Sequence, residues 1–193
     1  MSDEKGPLEA TPFQRILQGR RSIRRFLPAP VEPEKLRACL EAARLAPSAH
    51  NVQPWRFMVV DDPDLKSRLA AAAFGGFYKG SLFAAQAPVI LVLLARPGRG
   101  VVRLGSRIQG VPFFLLDMGI AGEHLVLQAE ELGLATCWMG WFNYRRVRKA
   151  LDIPPGFKLV ALMPLGYAEK RPRSQPPRRT LEGIAAFNKV PPE

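Results

Sequence analysis

Seven residues, Val89 to Ala95 (Val-Ile-Leu-Val-Leu-Leu-Ala), constrain the fold more than any other stretch of the chain. Every position is apolar, so a strand made of them has no face to show to water and must lie between two covering layers. The run is also far short of the ~20 residues that cross a bilayer. Trp55–Val60, Leu134–Trp141 and Lys158–Leu165 read as further strands. Helices are expected over Phe13–Gln18 behind Pro12, over Glu34–Ala46 with Leu36, Leu40 and Ala43 on one face, and from the Asp62-Pro63 cap to Ala73. Leu82–Ala87 reads as a short helical piece, Phe113–Leu132 as a long helix closed by Gly133, and Asn143 as the cap of a helix ending near Leu151. Arg96–Pro112, with four glycines and four arginines, is expected to be an exposed loop. Gly119 and Gly122 inside the long helix each cost about 1 kcal/mol relative to Ala and point to close approach by another helix or a flat ligand. Strands and helices alternate without a regular βαβ rhythm. The expected fold class is α+β, a central sheet flanked by helices.

The 193 residues suit one domain, 1–193, with a loose leader at 1–11, an extended basic tail at 168–193, and a turn at Leu181–Phe187. Cys39 and Cys137 form neither a disulfide framework nor a zinc knuckle, and Met1–Ala10 lacks the basic start and apolar core of a signal peptide. A cytoplasmic protein with no membrane span is expected. Lys and Arg number 28 against 17 Asp and Glu, a net charge of +11 that draws phosphates. Nucleic acid is an unlikely partner, because few aromatics interleave with the arginines of 96–107 and 170–179 and no known binding module fits.

Several chemistries are missing. His50 and His124 have no acidic partners at ligand spacing, so no metal site is expected. There is no Gly-x-Ser-x-Gly elbow, no His near Cys137 and no Walker loop, and Gly98-Arg99-Gly100 lacks the third glycine of a dinucleotide fingerprint. What remains is three polar clusters. Arg20, Ser22 and Arg24 alternate along an extended segment and can converge on one anion, with Arg21 between them; a solvated basic turn is the plainer reading. Pro47-Ser48-Ala49-His50-Asn51-Val52-Gln53-Pro54 is a stiff loop whose hydroxyl and amides suit a heteroaromatic edge or sugar hydroxyls, or are simply turn chemistry. In Cys137-Trp138-Met139-Gly140-Trp141-Phe142 an apolar strand crosses a glycine, which lets a ligand approach the backbone; an aromatic core strand is the alternative.

Taken together, Arg-Arg-Ser-Ile-Arg-Arg-Phe, then Ala-Pro-Ser-Ala-His-Asn-Val-Gln-Pro-Trp-Arg-Phe, then Gly133 to Gly140, then Leu165-Gly166-Tyr167 resemble the nitroreductase family in register from about Phe13 to Ile184. The resemblance implies a homodimer with the long helix at the interface and FMN bound between the subunits. It implies that Arg20, Ser22 and Arg24 hold the phosphate and ribityl chain with Arg21 beside them. Ser48 and Asn51 would come from the partner subunit, with Pro47 and Ala49 lining the ring and Gln53 as a polar neighbour. Met139 and Gly140, next to Trp138, would turn backbone amides to the reactive edge, and Arg178 or Arg179 would return to the phosphate. The implied activity passes hydride from NADH or NADPH through FMN to a nitroaromatic, quinone or similar small acceptor, with no catalytic side chain because the flavin carries the chemistry. Dehalogenation, flavin breakdown or flavin binding without turnover are the alternatives within this resemblance.

Overall fold

A computed structural model describes residues 9–98, 100–172 and 174–191. In chain order the elements are α1 (Pro12–Gly19), α2 (Pro33–Arg44), β1 (Trp55–Val60), α3 (Pro63–Ala73), β2 (Val89–Ala95), α4 (Val101–Ile108), α5 (Phe113–Glu131), β3 (Ala135–Thr136), α6 (Tyr144–Ala150) and β4 (Lys158–Gly166), with a long 3₁₀ segment at Gly76–Gln86. The four strands make one antiparallel sheet in the order β1-β2-β4-β3.

Strand β2 is buried at all seven positions, as its composition demands. Its Leu91, Leu93 and Ala95 face α2 and α5, together with Met118, Leu125 and Ala129. Ile90, Val92 and Leu94 face the opposite layer with Leu69, Phe74 and Val147 from α3, its end and α6. The capping chemistry works as expected. Thr11 and Gln14 form a reciprocal capping box on α1, Asp62 accepts the Leu65 N–H at 2.8 Å, and Asn143 accepts the Arg146 N–H at 3.0 Å.

Three expectations need correction. Residues 101–108 are helical, because the glycines that suggested a loop mostly flank the helix: Gly100 (φ +59°) leads in and Gly110 (φ +66°) leads out. The short helical piece is longer and tighter than expected, a 3₁₀ run over Gly76–Gln86. The strand expected over Leu134–Trp141 is hydrogen-bonded only at Ala135–Thr136, resuming as a single bridge from Met139 to Leu162. Cys137 stands opposite Pro164 in that register, and Pro164 has no N–H to donate, so the ladder breaks there.

At the chain ends, residues 1–8 of the expected leader lie outside the described residues. In the tail, Leu181 accepts from Ile184 and Ala185 at 3.1 and 2.9 Å, giving the expected turn. No described helix is long and apolar enough to cross a membrane.

Candidate functional site

The first cluster sits on the β3 edge of the sheet. Ser22 bridges Thr136 in parallel fashion and the Ile23 N–H donates to the Thr136 carbonyl at 3.0 Å. Ile23 and Phe26 point inward and are buried, which turns Ser22 and Arg24 outward. Arg20 and Arg24 both lie close enough to Cys137 to act on its thiol: burial pushes the thiol up, and the two guanidiniums pull it partly back. Among the described residues neither arginine has a carboxylate partner, and the Ser22 hydroxyl makes no hydrogen bond. Arg24 leans towards the Phe83 ring, 6.0 Å from its centroid.

Arg21 turns elsewhere. Its Nη1 donates to the Gln18 and Arg20 carbonyls at 2.6 and 2.8 Å, capping the C-terminal end of α1, where a cation is favoured. Arg21 is thus bonded to carbonyls of its own chain, whereas Arg20, Ser22 and Arg24 have no side-chain hydrogen bond among the described residues.

The third cluster continues the same edge. The Met139 N–H donates to the Leu162 carbonyl at 2.9 Å and the Leu162 N–H returns the bond at 3.0 Å, so the Met139 amide is held in the sheet. Gly140 is exposed, and its N–H has no partner among the described residues. A Cβ on Gly140 would meet nothing within 4 Å, so the backbone is open to a ligand from that side. Freed from the ladder, Trp138 lays its ring against Gly122 of α5, where any Cβ would overlap the indole. The close approach that Gly122 signals is thus this indole, and Gly119 has open space around it.

The second cluster is a strained, self-satisfied loop. His50, Asn51 and Gln53 all have positive φ, 49°, 53° and 48°, conformations that are uncommon outside glycine and gather at functional sites. Ser48 Oγ accepts the Gln53 N–H at 2.9 Å, and Gln53 Nε2 donates to Asn51 Oδ1 at 3.0 Å. The loop is fastened by a residue that sequence reasoning missed. Asp117, 5% exposed, accepts the Ala49 N–H at 3.0 Å. A lone carboxylate inside Phe-Phe-Leu-Leu-Asp-Met-Gly-Ile-Ala was the signal available for it. Pro47 is exposed and Ala49 half-buried.

One chain does not bring the clusters together. The second hangs from Asp117, whereas Gly19, just before Arg20, lies against Glu130. Those residues are 13 apart on α5, about 20 Å along the helix axis. The tail runs to the first cluster. Arg171 holds Glu130 through two bonds of 2.6 and 2.7 Å, and Gln175 Nε2 donates to the Gln18 carbonyl at 2.6 Å. Arg178 and Arg179 follow within a few residues, both exposed and without a partner among the described residues.

The nitroreductase family model matches residues 17–167, which spans all three clusters. The chain belongs to the nitroreductase family. It is 37% identical over 174 residues to a NADH dehydrogenase of Thermus thermophilus, covering 77% of this chain and 82% of that protein. A nitroreductase family protein from Clostridium novyi NT superposes with a TM-score of 0.71 at 32% identity, covering 82% of this chain and 86% of that one. An FMN-dependent nitroreductase from Clostridium difficile superposes at 0.73 with 28% identity, covering 91% and 98%. The family makes this chain an oxidoreductase, and its α+β antiparallel architecture is the family's fold.

Proposed function

We propose that the protein is a homodimer that binds FMN and passes hydride from NADH or NADPH through it to a nitroaromatic, quinone or similar small acceptor. The observation that carries this reading is the extended segment Arg20–Arg24, registered on Thr136 with two guanidiniums and a hydroxyl unpaired among the described residues, at the strand end that leads on to the open amide of Gly140. Such donors fit a terminal phosphate and a polyhydroxyl chain. The likeness to the FMN-dependent nitroreductase of Clostridium difficile supports the same cofactor here.

In this reading Arg20 and Arg24 neutralise the phosphate and Ser22 donates to it or to the ribityl chain. The exposed Gly140 N–H faces the reactive edge of the ring, and buried Met139 with Trp138 keeps water from that side. Pro47 and Ala49 of the partner subunit line the ring, while its Ser48 hydroxyl and Asn51 amide keep donors free for it. Arg178 or Arg179 adds a further cation at the phosphate. Bound flavin supplies the hydride relay, so the chain needs no acid–base dyad of its own.

The gap of about 20 Å between the two clusters along α5 supports the dimer, because one chain alone does not bring them to a single ligand. The outer side of that helix is an open apolar stripe, Leu115, Leu116, Gly119 and Ile120, with Phe13 and Leu17 of α1 also exposed. This stripe is the surface offered to a second copy about a two-fold axis.

The test is the visible spectrum of the protein after incubation with FMN and desalting, followed by NAD(P)H consumption with menadione. Flavin bands near one per chain and rapid turnover are expected. A colourless protein overturns the cofactor, and flavin retained without turnover makes the protein a binder or sensor. A sedimentation run giving monomer with FMN still bound overturns the dimer.

A further inference from the structure

The cleft between α4, the start of α5 and the turn before β4 has a volume of about 520 Å³, within the range of small-molecule sites. Arg96, Arg107 and Lys158 line it, against walls made by Phe113, Phe114 and Pro155. Among the described residues, no carboxylate lines it. Each of three other surface clefts carries at least one: Glu41 in one, Asp61 and Asp62 in the next, Glu41 and Glu131 in the last. Arg107 and Lys158 have no ion pair or side-chain hydrogen bond among the described residues. Arg96 rests over the Phe157 ring, 5.9 Å from its centroid, and has no carboxylate partner either. Three like charges gathered around apolar walls repel one another and give a positive field that no carboxylate among the described lining residues balances.

The cleft is also coupled to the loop of the second cluster. The Arg96 N–H donates to the Pro54 carbonyl at 2.8 Å. A Cβ on Gly98 would meet Val102 Cγ1 of α4 at 3.2 Å and Val52 Cγ1 of the loop at 3.5 Å, so helix, turn and loop touch at this glycine.

We infer that this cleft selects an aromatic anion as reactant: the ring packs between Phe113, Phe114 and Pro155, and the anionic group is held by Arg107, Lys158 and Arg96. The inference rests on the proposed function only for the reactant's use, because the loop that borders the cleft is the one assigned to the partner's flavin. Two sources share the chemistry. One is an acceptor with a carboxylate, the other the adenosine 2′-phosphate of NADPH, with the adenine as the aromatic part.

The experiment compares the FMN-loaded protein with the Arg107→Glu/Lys158→Glu double variant. The readouts are kcat/KM for 4-nitrobenzoate against 4-nitrobenzyl alcohol, and for NADPH against NADH. Losing charge-assisted contacts is expected to lower one of these ratios about tenfold or more. A fall in the first identifies the acceptor as the anion, and a fall in the second identifies the donor. Neither ratio moving in a variant with the wild-type circular dichroism spectrum overturns the inference. If the wild type takes up no FMN or oxidises no NAD(P)H, the proposed function fails and calorimetry decides the cleft alone. Salt-sensitive binding of 4-nitrobenzoate or adenosine 2′-phosphate that the double variant abolishes supports the cleft; no binding of either overturns it.

Discussion

Arg20–Arg24 and Pro47–Gln53 flank the same helix, α2, yet they are built on opposite plans. The first is relaxed backbone laid along a sheet edge, with its inward residues buried and the side chains of Arg20, Ser22 and Arg24 left without hydrogen-bond or ion-pair partners among the described residues. The second is strained backbone whose hydroxyl and amides bond to one another and whose position depends on one buried carboxylate. The contrast separates two ways of making a binding surface. A seat for charge keeps its donors free and leaves the scaffold to fix them, whereas a wall for a flat ring fixes its own shape and keeps few donors over. Removing a polar side chain from the first should therefore harm binding and spare stability, and removing one from the second should do the reverse.

Arg20→Ala is the largest expected break. Loss of a charged hydrogen bond worth about 1.5–3 kcal/mol weakens FMN binding roughly 10- to 150-fold, read by flavin fluorescence titration. The melting temperature of the flavin-free protein should stay at the wild-type value, since Arg20 has no partner among the described residues; a large drop would show it to be structural. Asp117→Ala tests the other plan. It leaves the half-buried Ala49 N–H unpaired, which costs about 1–3 kcal/mol, or roughly 2–12 °C in melting temperature for a chain of this size. Asp117→Asn keeps an acceptor and should recover part of that loss. FMN binding falling in Asp117→Ala without a change in melting temperature would erase the distinction between the two regions.

A smaller effect sits at the start of α2, the helix that spans the two regions. Tyr167 and Lys35 both donate to Glu32, and Tyr167 chiefly holds its carboxyl down to about 2. A carboxylate with a depressed folded pKa stabilises fully above its unfolded value, and the contribution is lost as pH falls through the folded one. The melting temperature of the wild type should thus converge on that of Glu32→Gln between pH 4.5 and 2, with the gap constant above. A gap that stays unchanged down to pH 2 removes Glu32 as an anchor of the helix. The smallest effect is His50→Gly. Relief of a left-handed residue, about 1–2 kcal/mol, is nearly offset by the ~0.5–1 kcal/mol that glycine loses in backbone freedom. Stability should rise only slightly in chemical denaturation, and a clear loss would mean the imidazole itself supports the loop.

The elements that sequence made plain were those whose signals are local. Val89–Ala95, the Asp62-Pro63 cap and the Gly133 stop each carry their own instruction, and the strand and helices they mark are present. The misses depended on a distant residue or on which side of a boundary a signal falls. Nothing within Leu134–Trp141 reveals that Pro164, on another strand, withholds the N–H opposite Cys137. Glycines around 101–108 are the same letters whether they fill a loop or bracket a helix. In the candidate site, the outward direction of Ser22 and Arg24 was legible because alternation with buried Ile23 gives it. The turning of Arg21 onto α1 and the use of the Met139 amide by Leu162 are decided by carbonyls that a linear reading cannot position.

Trp138 links the site to the helix proposed as the interface. Its indole fills the notch at Gly122, two residues beyond the open stripe of α5, while the backbone two residues on is the exposed Gly140. An aromatic ring seated in a notch acts as a gear tooth. The helix cannot rotate about its own axis without pushing that ring, and the ring cannot shift without dragging the strand end that follows it. In the proposed dimer, an adjustment between the two copies would be felt mechanically at this strand end, beside the proposed flavin site.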